Sequence, residues 1–432
     1  MSKLLFVCLD GVGDEPNPVL DGQTPLEAAA TPHMDALASR GRTGTTLTVG
    51  PGIAPESDIG VFGILGYDPT EEHPGRGVLE AMGIGMDFAD GDVAYRVNFA
   101  TGSDGEIVDR RVGRDLTSEE SSALAAEVNE RFELPGVTLE LRATVEHRGA
   151  LVIHPTDGHP LSAQVSNTDP AYRREGTLGV ALETFEPRVV TAEALEDSEA
   201  ARRAAELTNA FVDGAARILD ASDHNAARRA AGRLPANLIL TRDGGDHVPT
   251  LQPIRARFGM GWACFVEMPV ERGISIALGM EPVDVPRLDP RGFGTVAEEG
   301  YAEWAARAID VLPDVDALYV HLKGPDVPSH DGRPQDKRDV LEAIDRAFFG
   351  VVLERLGRRD VLFAVTGDHS TSCVRKAHTA DPVPLLISGG PVTPDGSEVF
   401  GERACSAGSL GQLLGPQIMP RLADLLGTGT KA

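Results

Sequence analysis

The sequence predicts an α/β fold, in which helices flank a mostly parallel sheet and a smaller α+β domain is inserted into the chain. Residues 3–9 (KLLFVCL) form a continuous apolar run that ends at Asp10, which is the pattern of a strand buried on both faces. Three more runs of this kind return late in the chain, at 315–322, 360–366 and 383–388. Helical patterns at 301–312 and 335–356 precede the first two of them, and such alternation predicts a parallel sheet.

The middle of the chain has a different pattern. Thr117 and Glu120 have the spacing of a capping box that opens a helix, and an alanine-rich helical pattern covers about 192–219. The segments between these two helices are strand-like and are broken by Gly and Pro. The polar, basic stretch at 221–235 is predicted to be a linker that leads back to a strand at 237–241.

These patterns predict two domains, which the length of 432 residues also favours. The sheet domain is predicted to be discontinuous and to cover 1–88 and 233–432, while the inserted domain covers 89–232. With 41% apolar and 25% charged residues, the composition is typical of a globular protein.

The net charge of −26 argues against two classes of partner, nucleic acid and anionic membranes. Either would require a basic patch, which so acidic a chain does not favour. Homo-oligomer formation is left open.

The N-terminal apolar run at 4–9 is too short for a signal-peptide core or a membrane span, which predicts a cytoplasmic protein. The cysteines are scattered along the chain without paired spacing, at Cys8, Cys264, Cys373 and Cys405. They therefore predict neither a disulfide framework nor a thiolate metal site.

Carboxylates and imidazoles follow the predicted strands or lie close to them. These candidate metal ligands are Asp10, Asp326, His330, Asp368, His369 and His378. Taken singly, each is compatible with an ordinary turn residue. Together they favour a site for two divalent ions, because ligands bind at the carboxyl ends of strands in an open parallel sheet. Lys323 lies beside Asp326 at a strand end, where its charge could neutralise a phosphate.

The segment PGIAPESDIGVFGILGYDP at 51–69 delivers Ser57 to the start of an apolar helical stretch. Two interpretations are open. Ser57 is either an N-cap, or a nucleophile activated by a metal ion at a helix N-terminus.

A series of segments resembles the archaeal-type, cofactor-independent phosphoglycerate mutases of the alkaline phosphatase superfamily, in the same order and over nearly the whole chain. They are Asp10-Gly11, PESD with Ser57, GRGVLEAMGIG at 75–85, DVAYRVNFAT at 92–101, DRRVGR at 109–114, HLKGPDVPSHDG at 321–332, TGDHST at 366–371, KAHTADPVPLLI at 376–387 and ERACSAGSLGQLLGPQIMP at 402–420.

The resemblance implies an alkaline phosphatase-like domain that holds two divalent ions (Mn, Zn, Co or Mg) and needs no bisphosphoglycerate. One ion would be bound by Asp326, His330 and His378. The other would be bound by Asp10, Ser57, Asp368 and His369, with Ser57 transiently phosphorylated. The implied reaction interconverts 3-phosphoglycerate and 2-phosphoglycerate.

The substrate is expected to be a small phosphorylated acid, held by guanidinium groups that match carboxylate and phosphate. The candidates are Arg110, Arg111 and Arg114, with Asn98 as a further binding residue. Ordinary surface charge is the alternative for these arginines. Asp109 is predicted to act as the acid and base for the glycerate hydroxyls.

Three segments depart from the family pattern: LILTRDGGDHVPTLQPI at 238–254, SNTDP at 166–170 and SLGQ at 409–412. None contains a candidate metal ligand, so they bear on the substrate rather than on phosphoryl transfer. The competing hypotheses are phosphoryl transfer on another small hydroxy acid, a metal-dependent phosphatase or phosphodiesterase, and a non-catalytic metal-binding protein.

Overall fold

The computed structural model describes residues 2–182, 184–288, 295–356 and 361–429. In chain order, the strands are β1 (Lys3–Leu9), β2 (Gly41–Leu47), β3 (Val93–Ser103), β4 (Glu106–Asp109), β5 (Val137–Ala143), β6 (Arg148–Pro155), β7 (Tyr172–Glu175), β8 (Leu178–Ala181), β9 (Leu238–Gly245), β10 (Trp262–Val266), β11 (Glu281–Asp284), β12 (Ala317–Leu322), β13 (Val361–Thr366), β14 (Ser370–Ser372), β15 (Ala377–Thr379), β16 (Val383–Gly389) and β17 (Gly411–Leu414).

In chain order, the helices are α1 (Pro25–Ala28), α2 (Pro32–Ala38), α3 (Ser57–Ile64), α4 (Pro69–Glu72), α5 (Arg76–Gly83), α6 (Ser118–Arg131), α7 (Glu199–Asp220), α8 (Asp223–Ala230), α9 (Ile254–Phe258), α10 (Pro269–Leu278), α11 (Thr295–Val311), α12 (Asp326–Asp331), α13 (Pro334–Ile344), α14 (Gly350–Leu356), α15 (Glu402–Ser406) and α16 (Ile418–Leu426). No helix in the described ranges combines the length and the apolar character that crossing a bilayer requires.

An eight-stranded sheet forms the larger part of the fold, in the order β11-β10-β12-β1-β13-β16-β2-β17. The strands from β11 to β13 in this order are parallel, whereas β16 is antiparallel to both of its neighbours. The predicted mostly parallel α/β sheet is therefore confirmed. The runs at 3–9, 315–322 and 383–388 correspond to β1, β12 and β16. The run at 360–366 corresponds to β13, and its residue 360 lies outside the described residues.

The chain divides into two compact units. Unit 1 comprises Met1–Glu72, Leu251–Glu267 and Ser275–Ala432, and unit 2 comprises His73–Thr250 and Met268–Ile274. The core of unit 1 contains the alternate residues Leu5, Val7 and Leu9 of β1, which pack with apolar side chains of α11, α13 and α14.

Unit 2 is built on an antiparallel sheet, in which β3 pairs with β4, β6 and β9, and β6 pairs with β5. Its flanks at 73–88 and 233–250 were placed in the sheet domain by the sequence-based boundaries. They lie in unit 2 because β9 hydrogen-bonds along β3 and because Val78 and Ala81 of α5 pack with residues of β3 and β6.

The linker predicted at 221–235 is wrong, because α8 occupies most of it. Arg228 of this helix is buried, and its guanidinium contacts the carboxylates of Asp115 and Glu120. A polar and basic stretch thus forms a helix, and the charge of its buried arginine is compensated by hydrogen bonds to carboxylates.

Candidate active site

The predicted metal-ligand side chains of unit 1 converge in two groups. Because β1, β12 and β13 are parallel neighbours, the residues that follow them meet at one edge of the sheet. The first group is Asp326, His330 and His378, and the second is Asp10, Asp368 and His369. Within each group the candidate ligand atoms all lie within 4.8 Å of one another. The structure thus brings together all six side chains that the strand-end pattern indicated.

The second group contains buried carboxylate oxygens whose charge a cation would compensate. Gly11 N donates to Asp368 Oδ1 at 3.0 Å. In the described part of the chain Asp10 Oδ1 and Asp368 Oδ2 are buried and accept no hydrogen bond, although Nε2 of His321 and Nε2 of His369 each lie 3.3 Å from Asp368 Oδ2. Burial raises the pKa of Asp10 to about 7; Lys323 opposes this rise, and the charges of Asp368 and Asp326 add to it. A divalent ion would compensate these carboxylates, so the donor set fits a metal site.

The imidazoles of the first group are oriented by backbone carbonyls. His330 Nδ1 lies 3.1 Å from the carbonyl oxygen of Lys376, and His378 Nδ1 lies 2.7 Å from that of Pro55. Because a carbonyl only accepts, each Nδ1 carries the hydrogen and each Nε2 is directed to the group. Both Nε2 atoms approach Asp326 Oδ1, at 3.4 and 3.6 Å.

The carboxylate of Asp326 also favours positive charge on the neighbouring His378. Burial disfavours the protonated form of His378, but Asp326 outweighs burial and raises the pKa of His378 to about 10. The carboxylate therefore draws positive charge to this position, and a metal ion supplies such charge as well as a proton does.

Ser57 is the first residue of α3, and Glu56 is its N-cap. The Ser57 hydroxyl does not cap the helix; it lies 3.1 Å from Nε2 of His369. The N-cap interpretation is therefore excluded. The close approach depends on Gly60, one turn later, because a Cβ at that position would lie 2.1 Å from the carbonyl oxygen of Asp368.

Lys323 lies at the same edge, as its position after β12 predicted. Its Nζ is 3.3 Å from Asp10 Oδ2 and 3.2 Å from Nδ1 of His321. His321, whose Nε2 is 3.3 Å from Asp368 Oδ2, was not among the predicted site residues. Its only mark in the sequence is a polar side chain inside the apolar run of β12, two residues before Lys323.

In unit 2, the predicted substrate residues differ in their surroundings. Asp109, Arg110, Arg111 and Arg114 line a cavity of about 410 Å³ together with Phe185 and three further side chains. Arg110 donates through Nε and Nη2 to Asp169, at 2.9 and 2.5 Å, so its guanidinium is already paired.

The other predicted substrate residues differ from Arg110 in their hydrogen bonds and exposure. Asp109 Oδ1 accepts from the backbone N–H of Arg111 at 2.7 Å. Arg111 is half-buried and Arg114 is exposed. Burial lowers the pKa of Arg111, and Arg114 and Arg110 lower it further by repulsion. Asn98 is buried, and its Oδ1 has no hydrogen-bond partner in the described residues.

Three arginines that the sequence did not single out form a cationic cluster in the sheet of unit 2. Arg96 of β3 lies opposite Arg242 of β9, and Asn98 lies opposite Arg148 of β6. Burial, together with repulsion from neighbouring arginines, lowers the pKa of Arg96 to about 9 and that of Arg148 to about 10. Arg96 and Arg242 are almost completely buried, and Arg242 stacks on the ring of Tyr172 at 3.6 Å. Asp243, whose Oδ2 lies 2.9 Å from Nη1 of Arg242, compensates part of this charge, and the remaining positive charge favours an anion. The signal was the arginine that interrupts the apolar start of β3, two residues before Asn98.

Comparison with known proteins identifies the family of this chain. The model of the 2,3-bisphosphoglycerate-independent phosphoglycerate mutase family matches residues 38–225. A protein of that name from Aeropyrum pernix is 43% identical, over 98% of this chain and 99% of its own. A protein of the same name from Thermococcus kodakarensis is 36% identical over 99% of this chain and 98% of its own.

Solved structures agree with this. A Pyrococcus horikoshii protein is similar with a TM-score of 0.79 at 29% identity, covering 100% of this chain and 99% of its own. A cofactor-independent phosphoglycerate mutase from Thermoplasma acidophilum gives a TM-score of 0.63 at 33% identity, covering 98% and 100%. The chain therefore belongs to the 2,3-bisphosphoglycerate-independent phosphoglycerate mutase family.

Proposed function

We propose that this protein interconverts 3-phosphoglycerate and 2-phosphoglycerate through a phosphoserine at Ser57, with two divalent metal ions (Mn, Zn, Co or Mg) and without bisphosphoglycerate. The observation that carries the proposal is the 3.1 Å contact between Ser57 Oγ and His369 Nε2, at the junction of the two ligand groups. Family membership supports the choice of phosphoglycerate as the substrate.

Each ion has its own set of residues in this proposal. Asp326, His330 and His378 hold one, and Asp10, Ser57, Asp368 and His369 hold the other. When bound, the ions favour the alkoxide of the serine and neutralise the oxygens of the transferring phosphoryl group.

The chain supplies the nucleophile and the surrounding charge. Ser57 Oγ releases its proton to solvent and bonds to phosphorus while the bond between phosphorus and the glycerate oxygen breaks, and that oxygen takes up a proton from Asp109. The same exchange in reverse, at the other glycerate hydroxyl, yields the isomer. Asp109 is the proposed acid and base for these hydroxyls. Lys323, whose Nζ lies 3.3 Å from Asp10 Oδ2, adds positive charge for the phosphoryl oxygens.

Binding of the substrate anion is proposed for unit 2. Arg111 and Arg114 line its cavity, while Arg96, Arg148 and Arg242 concentrate charge on its sheet. Guanidinium groups match carboxylate and phosphate equally well. Arg110 lines the same cavity and is proposed to contact the anion through Nη1, while its Nε and Nη2 hold Asp169.

The test is an enolase-coupled assay of the manganese-loaded protein with 3-phosphoglycerate and no added bisphosphoglycerate. We expect turnover to 2-phosphoglycerate without release of inorganic phosphate. Rapid phosphate release would indicate a hydrolase instead. No turnover by a protein that binds two manganese ions would indicate another small hydroxy acid as the substrate.

A further inference from the structure

The hydroxyl of Thr371 lies between the two ligand groups. Its Oγ1 is 2.8 Å from Oδ1 of Asp326, which belongs to the first group. The same atom is 3.0 Å from Nδ1 of His369, which belongs to the second. Thr371 is completely buried in β14, where it pairs with His378 of β15. One hydroxyl therefore contacts a candidate ligand of each proposed ion.

The direction of these two hydrogen bonds follows from counting protons. A carboxylate that binds a cation is ionised and only accepts, so the single hydroxyl proton of Thr371 is donated to Asp326. The oxygen of Thr371 can then only accept from His369, whose Nδ1 must carry the hydrogen. This leaves the lone pair of His369 on Nε2, the atom that lies 3.1 Å from Ser57 Oγ.

The other two imidazoles are fixed differently. His330 and His378 each direct Nδ1 to a backbone carbonyl, which no substitution of a side chain removes. For His369 the orienting partner is a side chain, so its tautomer can be changed without altering the backbone. This makes Thr371 the position where the orientation of a ligand can be tested by substitution.

Thr371 is itself held firmly. Its N–H donates to the carbonyl oxygen of Gly13 at 2.9 Å, and its own carbonyl oxygen accepts from Lys337 Nζ at 2.9 Å. Lys337 also donates to Gly13 O at 3.1 Å and to Asp14 Oδ2 at 3.0 Å. These contacts join the segment after β1, which carries Asp10, to the hairpin of β14 and β15.

We propose that Thr371 is a positioning residue whose hydroxyl fixes the tautomer of His369 and the orientation of Asp326 at once, so that the binding of both metal ions depends on it. The inference rests on the two metal ions of the proposed function, and it does not depend on the identity of the substrate. Valine keeps the shape of threonine but leaves His369 Nδ1 and Asp326 Oδ1 without this partner, whereas serine keeps the hydroxyl.

The test is titration of the metal-free protein with Mn²⁺, with free Mn²⁺ followed by electron paramagnetic resonance. For Thr371→Val we expect both dissociation constants to rise by about 10–100-fold. Thr371→Ser should stay within a few-fold of the wild type. Thr366→Val is the matched control, because the buried Thr366 hydroxyl donates to the carbonyl oxygen of Pro384 at 2.9 Å and, among the described residues, has no hydrogen bond to either ligand group. Its manganese affinities should equal those of the wild type.

A second measurement does not depend on any variant. In wild-type protein labelled with ¹⁵N-histidine, His369 should be the Nδ1–H tautomer. The inference is overturned if His369 is the Nε2–H tautomer, if Thr371→Val binds both ions as Thr366→Val does, if it loses one ion only, or if Thr371→Ser is as defective as valine. Turnover is measured separately: a wild type that binds two ions but does not interconvert phosphoglycerates refutes the proposed function and leaves the role of Thr371 standing.

Discussion

Ser57 Oγ and His369 Nε2 lie 3.1 Å apart although the two residues are 312 positions apart in the sequence. The first opens α3, and the second follows β13. The contact places a hydroxyl at the start of a helix directly against an imidazole of the second ligand group. The chemistry proposed for this protein depends on that contact.

Removal of the Ser57 hydroxyl should abolish turnover. For Ser57→Ala we expect the rate of phosphoglycerate interconversion to fall at least about 10³-fold, because the proposed reaction passes the phosphoryl group through this hydroxyl. The enolase-coupled assay measures this. Ser121→Ala, which removes a buried hydroxyl from α6 in unit 2, is the control and should keep its activity. Turnover by Ser57→Ala close to the wild-type rate would rule out the phosphoserine.

A small residue at position 60 lets α3 approach the segment that carries Asp368. Alanine normally stabilises a helix by about 1 kcal/mol relative to glycine. At Gly60 its Cβ would lie 2.1 Å from a backbone oxygen, so we expect Gly60→Ala to lower the free energy of unfolding by about 1–3 kcal/mol and to reduce turnover.

Urea unfolding and the coupled assay measure the two effects of this substitution. Gly50→Ala is the control, because the atom nearest to its added Cβ is Ile53 Cδ1, at 3.7 Å. It should change stability by less than about 0.5 kcal/mol. Equal behaviour of the two variants would mean that α3 does not depend on the close approach.

Lys337 and Asp14 form a completely buried ion pair. Lys337→Met should lower the free energy of unfolding by about 3–5 kcal/mol, because it leaves the carboxylate of Asp14 buried without its partner. Arg338→Met removes the neighbouring cation, whose contact with Asp339 is exposed, and should cost less than about 0.5 kcal/mol. Chemical denaturation compares the two. A small loss for Lys337→Met would show that Asp14 is solvated or neutral.

The carboxyl group of Glu402 makes stability depend on pH. Burial raises its pKa from 4.5 to about 7, although Thr24 donates to it. Between pH 4.5 and 7 the folded state therefore holds a proton that the unfolded state has released. The free energy of unfolding falls as pH rises through this range, and the loss is complete above pH 7.

Replacement of Glu402 by glutamine should remove this dependence. The gain in the free energy of unfolding of Glu402→Gln over the wild type should grow from pH 5 to pH 8.5, as measured by denaturation at a series of pH values. Glu303→Gln makes the same change in net charge at an exposed site and should show no such trend. A constant difference between Glu402→Gln and the wild type would contradict the raised pKa.

Arg96 should contribute to substrate binding at the expense of stability. Its Nε has no hydrogen-bond partner in the described residues, and Arg242, Arg76 and Arg148 repel its charge. Arg96→Met should therefore raise KM for phosphoglycerate by about tenfold or more and leave stability unchanged or higher. Arg131→Met, on the exposed face of α6, is the control for both measurements. An unchanged KM would remove Arg96 from the binding cluster.

The sequence predicted the strand-end residues because their pattern is local. A buried parallel strand reads as an apolar run, and the polar residue that ends it, such as Asp10 or Asp368, must lie at the edge of the sheet. The sheet that carries them was predicted for the same reason, whereas the antiparallel direction of β16 left no mark in its apolar run.

Residues whose role depends on a partner far along the chain were not predicted. Thr371 and His321 acquire their contacts with Asp326 and Asp368 only when separate strands meet. The polarity of α8 likewise suggested a linker, because the carboxylates that pair with Arg228 lie more than a hundred residues earlier. Such pairings are set by tertiary structure and leave no periodic signal.

The most direct test of the central claim is to trap the phosphoryl group on the enzyme. The manganese-loaded protein is mixed with ³²P-labelled 3-phosphoglycerate, quenched with acid within one turnover, and digested for mass spectrometry. We predict label on the peptide that contains Ser57, appearing before labelled 2-phosphoglycerate and absent from Ser57→Ala. Labelled 2-phosphoglycerate formed without any label on Ser57 would contradict the account.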